Sequence, residues 1–319
     1  MKQATEETKR NWSDYNKKLV QNGRLNFWFG EEYLQNWYSP GNDKLKRGRP
    51  FTYTDDAVRL CNIVRFVYRQ PLRQTEGLVD SILERLSPDL ESPCYTQICR
   101  RLDGLDLTIK RKLEKAMESG EIINVIFDSS GLKVYGEGEW KVRKHGYSKR
   151  RTWRKIHIGL DSATQEIEAV ELTENDIDDA QIAEVMIDYL PESVETIVGD
   201  GAYDDKRIYN KAYERGMRVL VPPDKNAKIN FKSYRKKNPG IALRNNALIE
   251  IQLNMLKNNL TLEEARKKWK VDNNYHQRSK GETVFYRFKT RLGDKLSSRI
   301  FNRQKVEAKI KCHILNKFG

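Results

Sequence analysis

Ile122-Ile-Asn-Val-Ile-Phe-Asp-Ser-Ser-Gly131 is where the chain changes character. Before it, apolar residues recur at helical spacing; from Glu121 onward they fall into short runs and alternations that read as strands. The run Ile122–Phe127 predicts a buried strand ending at Asp128. The small residues after it, Ser129, Ser130 and Gly131, leave room for a ligand. Leu132–Tyr135, Lys155–Leu160 and Glu166–Leu172 alternate as further strands. Asp178 to Leu190 reads as an amphipathic helix, and Thr196-Ile-Val-Gly199 as a second buried strand ending at Asp200. A helix through Tyr209 and the strand Met217–Val221 follow.

Antiparallel strands, then a helix and a parallel strand, are the order of a ribonuclease H-like core. The expected fold is therefore α/β: a ribonuclease H-like mixed-sheet catalytic core spanning 117–319. Pro222-Pro223 opens a polar insertion, about 223–272, before the last catalytic helix. Residues 1–50 read as an N-terminal arm with isolated anchors, Trp12, Trp28, Phe29 and Trp37. Residues 51–116 read as an all-helical, helix-turn-helix-like module. Thr54 caps its first helix with Asp55 and Asp56 in the first turn, Pro71 separates the second, and Ser92-Pro93 opens a short third helix bearing Gln97, Arg100 and Arg101. Helical trios without DNA contacts are common, so this module alone does not establish DNA binding.

In an open mixed sheet, chemistry collects at strand ends and switch points. Asp128 and Asp200 end strands, the second inside Gly199-Asp-Gly201, where glycines permit close backbone approach. Taken singly, each could simply start a turn. The third carboxylate stands in Tyr275-His-Gln-Arg278-Ser-Lys-Gly-Glu282, followed by Lys289. On a helix, at ~100° per residue, Tyr275, Arg278, Glu282 and Lys289 lie within about 60° of one another. Val284, Phe285, Phe288 and Leu292 form a separate apolar face, with Gly281 at its centre. A solvated charged face is the plain alternative for that helix alone. Three convergent carboxylates, however, raise one another's pKa and are relieved by cations. Hard oxygen donors with no Cys or His nearby favour Mg2+ or Mn2+, and two such ions suit in-line phosphoryl transfer. Glu282 would hold a metal, and Arg278 and Lys289 would neutralise phosphate oxygens.

Among 319 residues, 59 Lys and Arg against 45 Asp and Glu leave a net charge of +14, which attracts polyanions, nucleic acid above all. The cations concentrate between Trp140 and Lys155, where Lys141, Arg143, Lys144, Arg150 and Arg151 are interleaved with Trp140, Tyr147 and Trp153. A second cluster, Lys225 to Lys237, includes Phe231 and Tyr234. Aromatics among cations suit stacking on bases plus phosphate contact. Mean hydropathy of −0.79 and the lack of an ~18–20-residue apolar run argue against a membrane span, and the N-terminus has no signal-peptide pattern. Cys61, Cys94, Cys99 and Cys312 show no zinc spacing and read as reduced residues of a cytoplasmic protein.

Phe127-Asp-Ser-Ser-Gly131, Gly136-Glu-Gly-Glu-Trp140, Arg143-Lys-His-Gly146, Thr196-Ile-Val-Gly-Asp-Gly-Ala-Tyr203 and Tyr275-x2-Arg278-x3-Glu282-x6-Lys289 closely resemble the bacterial insertion-sequence DDE transposases, insertion-sequence family five above all. The resemblance extends through Asn11-Trp-Ser-Asp-Tyr15 and Pro71-Leu-Arg-Gln-Thr-Glu-Gly77. It implies a metal triad of Asp128, Asp200 and Glu282, with Tyr275, Arg278 and Lys289 as an accessory motif at the transposon end. It also implies double-stranded DNA as partner, at terminal inverted repeats and target, with two divalent ions as cofactor. A homodimer or higher oligomer on DNA and a nucleoid-associated location are the matching expectations. Two rivals remain: a silent remnant that only occupies inverted repeats, and a non-transposing nuclease on the same core. A tyrosine recombinase or His-hydrophobic-His nuclease fits worse, because His145 and His157 do not supply the required sets.

Overall fold

The structure, a computed structural model, describes residues 11–40, 50–107, 123–134, 153–230 and 239–318. The chain divides into two compact units after Leu105.

The first unit is helical. α1 (Trp12–Asn22), α2 (Leu25–Trp28) and α3 (Glu31–Gln35) precede α4 (Asp55–Val67), α5 (Leu72–Leu86) and α6 (Tyr95–Arg100). Thr54 accepts the Ala57 N–H at 3.2 Å, so the expected cap forms, and Asp55 and Asp56 lie in the positive first turn. The core of α4, from Ala57 to Val64, is closed against α5 through Val79, Ile82 and Leu83 and against α6 through Ile98. Trp37 is 1% exposed, and its indole donates to the Glu91 carbonyl at 2.7 Å, so this anchor is a core residue of the unit.

The second unit is built on a six-stranded mixed sheet among the described residues, in the order β3-β2-β1-β4-β5, with β6 also on β1. β1 (Ile123–Val134), β2 (Trp153–Asp161) and β3 (Ile167–Glu174) are antiparallel; β4 (Val194–Val198) and β5 (Arg218–Leu220) run parallel to β1. This is the expected ribonuclease H-like arrangement. α7 (Asp179–Tyr189) and α8 (Lys206–Glu214) cover one face, burying Val125, Phe127, Ile197 and Val219 against Ala183, Met186, Ile187 and Ile208. The insertion is a helical hairpin of α9 (Ile241–Asn258) and α10 (Leu262–Asp272), the second helix opened by a Thr261–Glu264 capping box. α11 (Ser279–Leu292) packs on β1, and α12 (Phe301–Phe318) follows the short strand β6 (Lys295–Leu296). Buried Glu307 on α12 accepts the Ser297 and Ser298 N–H groups and pairs with Lys311 at 3.0 Å, which holds β6 in place.

One expectation is corrected. Ile122–Phe127 and Leu132–Tyr135 are not two strands with a break at Asp128; β1 runs unbroken from Ile123 to Val134. Ser129, Ser130 and Gly131 stay extended because β2 supplies a partner at every step, from Ser129↔His157 to Gly131↔Lys155. What does end near Asp128 is the neighbour on the opposite edge. β4 pairs with β1 only through Ile126↔Val198, and β6 takes up that edge only at Lys133. Residues 127–132 thus face a gap in the sheet, a switch point of the kind that receives ligands in open sheets.

Candidate active site

The register places the first two carboxylates. Ile126 pairs with Val198, so Asp128 and Asp200 lie two residues beyond the same rung on parallel neighbours. Asp200 also caps the turn Gly201–Tyr203, accepting the Ala202 N–H at 2.9 Å. Gly199 is needed for a reason other than ligand access: a Cβ there would lie 2.8 Å from the Tyr203 ring, which stacks on Phe127.

α11 brings the third. The helix begins at Ser279, and Tyr275–Arg278 form a separate 3-10 turn entered through Asn274 at φ 53°, so the single helix expected across the motif is two elements. The apolar face forms as expected, with Gly281, Val284, Phe285, Phe288 and Leu292 buried. Gly281 is the contact point, since a Cβ there would come within 2.7 Å of Asp128 Oδ2 and 3.0 Å of its Cβ. With no side chain at 281, the helix descends onto the strand and Glu282 reaches the gap.

The three carboxylates converge on one guanidinium. Arg278 Nη2 lies 3.7 Å from Asp128 Oδ1 and 3.5 Å from Asp200 Oδ2, while Nη1 is 2.7 Å from Glu282 Oε1. Side-chain exposure rises from 11% at Asp128 through 41% at Asp200 to 65% at Glu282, so the set opens toward solvent on one side. Burial pushes the Asp128 carboxyl above its usual range, helped by the charges of Asp200 and Glu282 and opposed by the Ser129 N–H and Arg278. Among the described residues no three ligating side chains stand close enough to grip an ion as placed, because Arg278 lies between them. The donor set is nonetheless all oxygen and already arranged around positive charge, which fits a hard divalent cation better than zinc.

The accessory residues divide. Tyr275 donates to the Gly199 carbonyl at 3.1 Å, and burial pushes its phenol up to about 12, so it is a neutral donor that holds the Asp200 corner. Lys289 bonds Ser130 Oγ at 2.7 Å, on the same face of β1 as Asp128. Trp153 lies under Lys133 at 5.8 Å and against Gly131, and Lys155 pairs with Asp179. Trp140, Lys141, Arg143, Lys144, Arg150 and Arg151 lie outside the described residues, as do Phe231 and Tyr234. In the first unit Arg100 is exposed, but Arg101 is engaged by the Tyr53 carbonyl, Asp55 at 2.5 Å and the Phe51 ring.

Sequence reasoning passed over Asp204 and Arg244. Asp204 accepts from Nε and Nη2 of Arg244, at 2.7 and 2.8 Å, and from the Tyr209 hydroxyl and the Asp224 N–H. That pair ties the insertion hairpin to the turn after Asp200. The only sequence signal was a second acid beside the Asp200 motif, with its partner 40 residues away.

Comparison with known proteins identifies the family. Residues 20–137 match a family model described as a transposase DDE domain, and residues 120–317, more than half the chain, match a second of the same description. Among solved structures, one similarity is to a cryo-EM structure of the piggyBac transposase synaptic complex with hairpin DNA: TM-score 0.43, 10% identity, covering 94% of this chain and 73% of that one. Another is to the Drosophila P element transposase strand transfer complex, with TM-score 0.32, 11% identity, and coverage of 96% and 84%. No helix among the described residues is long and apolar enough to cross a membrane.

Proposed function

Because this chain belongs to the family of transposase DDE domains, we propose that it cuts DNA at the terminal inverted repeats of the element encoding it and joins the freed 3′-hydroxyl to target DNA. The resemblance of its motifs supports the bacterial insertion-sequence family five as its branch. The observation that supports the reading best is the convergence of Asp128, Asp200 and Glu282 on a single cation at a gap in the sheet.

These three side chains would hold two divalent ions, Mg2+ or Mn2+. When bound, the ions supply activation of the attacking oxygen and charge stabilisation at the leaving one. Asp128, least exposed and fixed by Gly281, sets the position of the group. Asp200 and Glu282, more exposed, have the freedom to close on the ligand. Arg278 offers a planar fork to a phosphate and Lys289 a point charge beside Ser130. Residues 51–116 would supply much of the end recognition, with Arg100 and Gln97 the better-placed contacts, since Arg101 is committed within its own unit. The active form would be a homodimer or higher oligomer on DNA, associated with the nucleoid.

The test is strand cleavage and joining on linear DNA that carries the repeats flanking the coding region, with Mg2+. The unaltered protein should cut at those ends. Asp200→Asn and Glu282→Gln should lose at least ~10^3-fold in cleavage, about 4 kcal/mol of barrier, yet keep end binding. Arg100→Ala should weaken specific binding by ~1–3 kcal/mol. Mg2+-dependent cutting retained in either carboxylate variant would sink the triad. End binding without cutting by the unaltered protein would leave an inverted-repeat-binding remnant.

A further inference from the structure

Arg278 stands four residues before Glu282, at the end of the 3-10 turn ahead of α11, and reaches all three carboxylates, but it is not tightly held by them. Only the Glu282 contact is short; those to Asp128 and Asp200 are 3.7 and 3.5 Å, and neither is bidentate. Its Nε is buried and has no hydrogen-bond partner. A guanidinium fixed for good would be expected to use its fork in paired, short bonds. Two other cations of the helix are placed elsewhere: Lys280 bonds the Ser162 carbonyl at 2.6 Å and Lys289 bonds Ser130.

We propose that Arg278 is a built-in counter-cation of the triad, which must swing out before a divalent ion enters, and that a DNA phosphate is the partner that draws it away. The proposal rests on the metal-triad reading above. Arg278 closes the 3-10 turn and precedes α11, so rotation about its own side-chain bonds moves the charge while Gly281 keeps the helix on Asp128. Inside the triad, one guanidinium offsets part of the repulsion among three acids. A divalent ion at the same place competes with it directly, and the more so when a phosphate offers the fork a bidentate partner. DNA and metal then bind with positive coupling, because each favours the arrangement the other requires. The triad would therefore load poorly away from DNA.

Mn2+ binding to the full chain without DNA tests this, read by electron paramagnetic resonance on the unaltered protein, Arg278→Ala, Arg278→Gln and Glu282→Gln. Both Arg278 variants should bind Mn2+ at least ~10-fold more tightly than the unaltered chain. The melting rise on adding Ca2+ should grow in step. Arg278→Gln retains polar contacts, so agreement between the two variants separates charge from packing. End DNA should tighten Ca2+ binding in the unaltered protein and have little effect on it in the variants. Unchanged or weaker Mn2+ binding in both Arg278 variants, with Glu282→Gln impaired, overturns the counter-cation role and leaves the triad standing. Mn2+ binding that ignores Glu282→Gln overturns the triad and this proposal with it.

Discussion

Asp128 and Ser129 are adjacent on β1 and head two different charge clusters on opposite faces of the sheet. On the α11 face, Asp128, Asp200 and Glu282 crowd around one arginine and open to solvent. On the α7 face, Asp179 is nearly enclosed: Lys155 pairs with it at 2.8 Å, His157 Nδ1 lies 3.1 Å away, and His157 Nε2 meets Thr173 Oγ1 at 2.9 Å. Burial acts against both carboxylates, and their partners decide the outcome. Contacts from His157, Lys155 and Ser129 overcome burial at Asp179 and hold it at about 2. At Asp128, burial outweighs the Ser129 N–H and Arg278, and the charges of Asp200 and Glu282 add to it. A charge-compensated cluster contributes stability, whereas an under-compensated one stores repulsion that a ligand can relieve.

The largest expected effect breaks the comparison from the open side. Asp128→Asn should lower cleavage by at least ~10^3-fold, equivalent to about 4 kcal/mol of barrier. Its melting temperature should hold or rise. The raised folded-state pKa means that ionised Asp128 costs stability near neutral pH, a cost that disappears as pH falls and the group protonates. Calorimetry beside a cleavage assay checks both halves, and a fall of several degrees would show that Asp128 also supports the fold.

The closed side should behave in reverse. Asp179→Ala leaves Lys155 and His157 without their acid and should cost about 2 kcal/mol of stability, with cleavage per folded molecule nearly unchanged. The pH sign also reverses. A carboxyl lowered from 3.8 to about 2 contributes stability that is complete above about pH 4 and is lost as pH falls toward 2. The difference in urea midpoint between the two proteins should therefore shrink across that window. A constant difference would assign the effect to packing instead.

Between these extremes stands Gly281→Ala, which puts a methyl group 2.7 Å from Asp128 Oδ2. Helix or carboxylate must give way, at about 1–3 kcal/mol. We expect roughly 10-fold slower cleavage, about 1.4 kcal/mol of barrier, with a small drop in melting temperature. If stability falls and the rate per folded molecule does not, the close approach serves packing alone.

The open cluster was readable from sequence to a degree the closed one was not, and the reason is range. Asp128, Asp200 and Glu282 each sit at a local landmark: the end of an apolar run, a Gly-Asp-Gly corner, the polar face of a helix. The continuation of β1 through Ser129-Ser-Gly131 depends on β2, whose pairing residues begin at Trp153, and three small residues alone read as a break. Arg101 is bound by Asp55, 46 residues earlier, a partner that its own stretch of sequence does not announce. Asp179 and His157 are likewise unremarkable until the register brings strand and helix together. Tyr275 shows the same limit, since its bond to the Gly199 carbonyl spans 76 residues.

That last bond gives the smallest effect. Tyr275 Oη donates to the Gly199 carbonyl at 3.1 Å, one residue before Asp200, and its ring lies 6.4 Å from buried Trp269. Tyr275→Phe keeps the ring and removes the donor, so the Gly199 carbonyl loses a partner at a cost of about 1 kcal/mol. Gly199 N–H still bonds the Leu220 carbonyl at 3.3 Å, so the corner should loosen without detaching. Cleavage should slow by about 2–5-fold, with Mn2+ binding slightly weakened through Asp200 and end-DNA affinity unchanged. If the hydroxyl instead serves the DNA strand, affinity for end DNA should fall by as much as the rate, with Mn2+ binding intact. Running both titrations on this one variant separates a residue that positions a carboxylate from one that holds DNA.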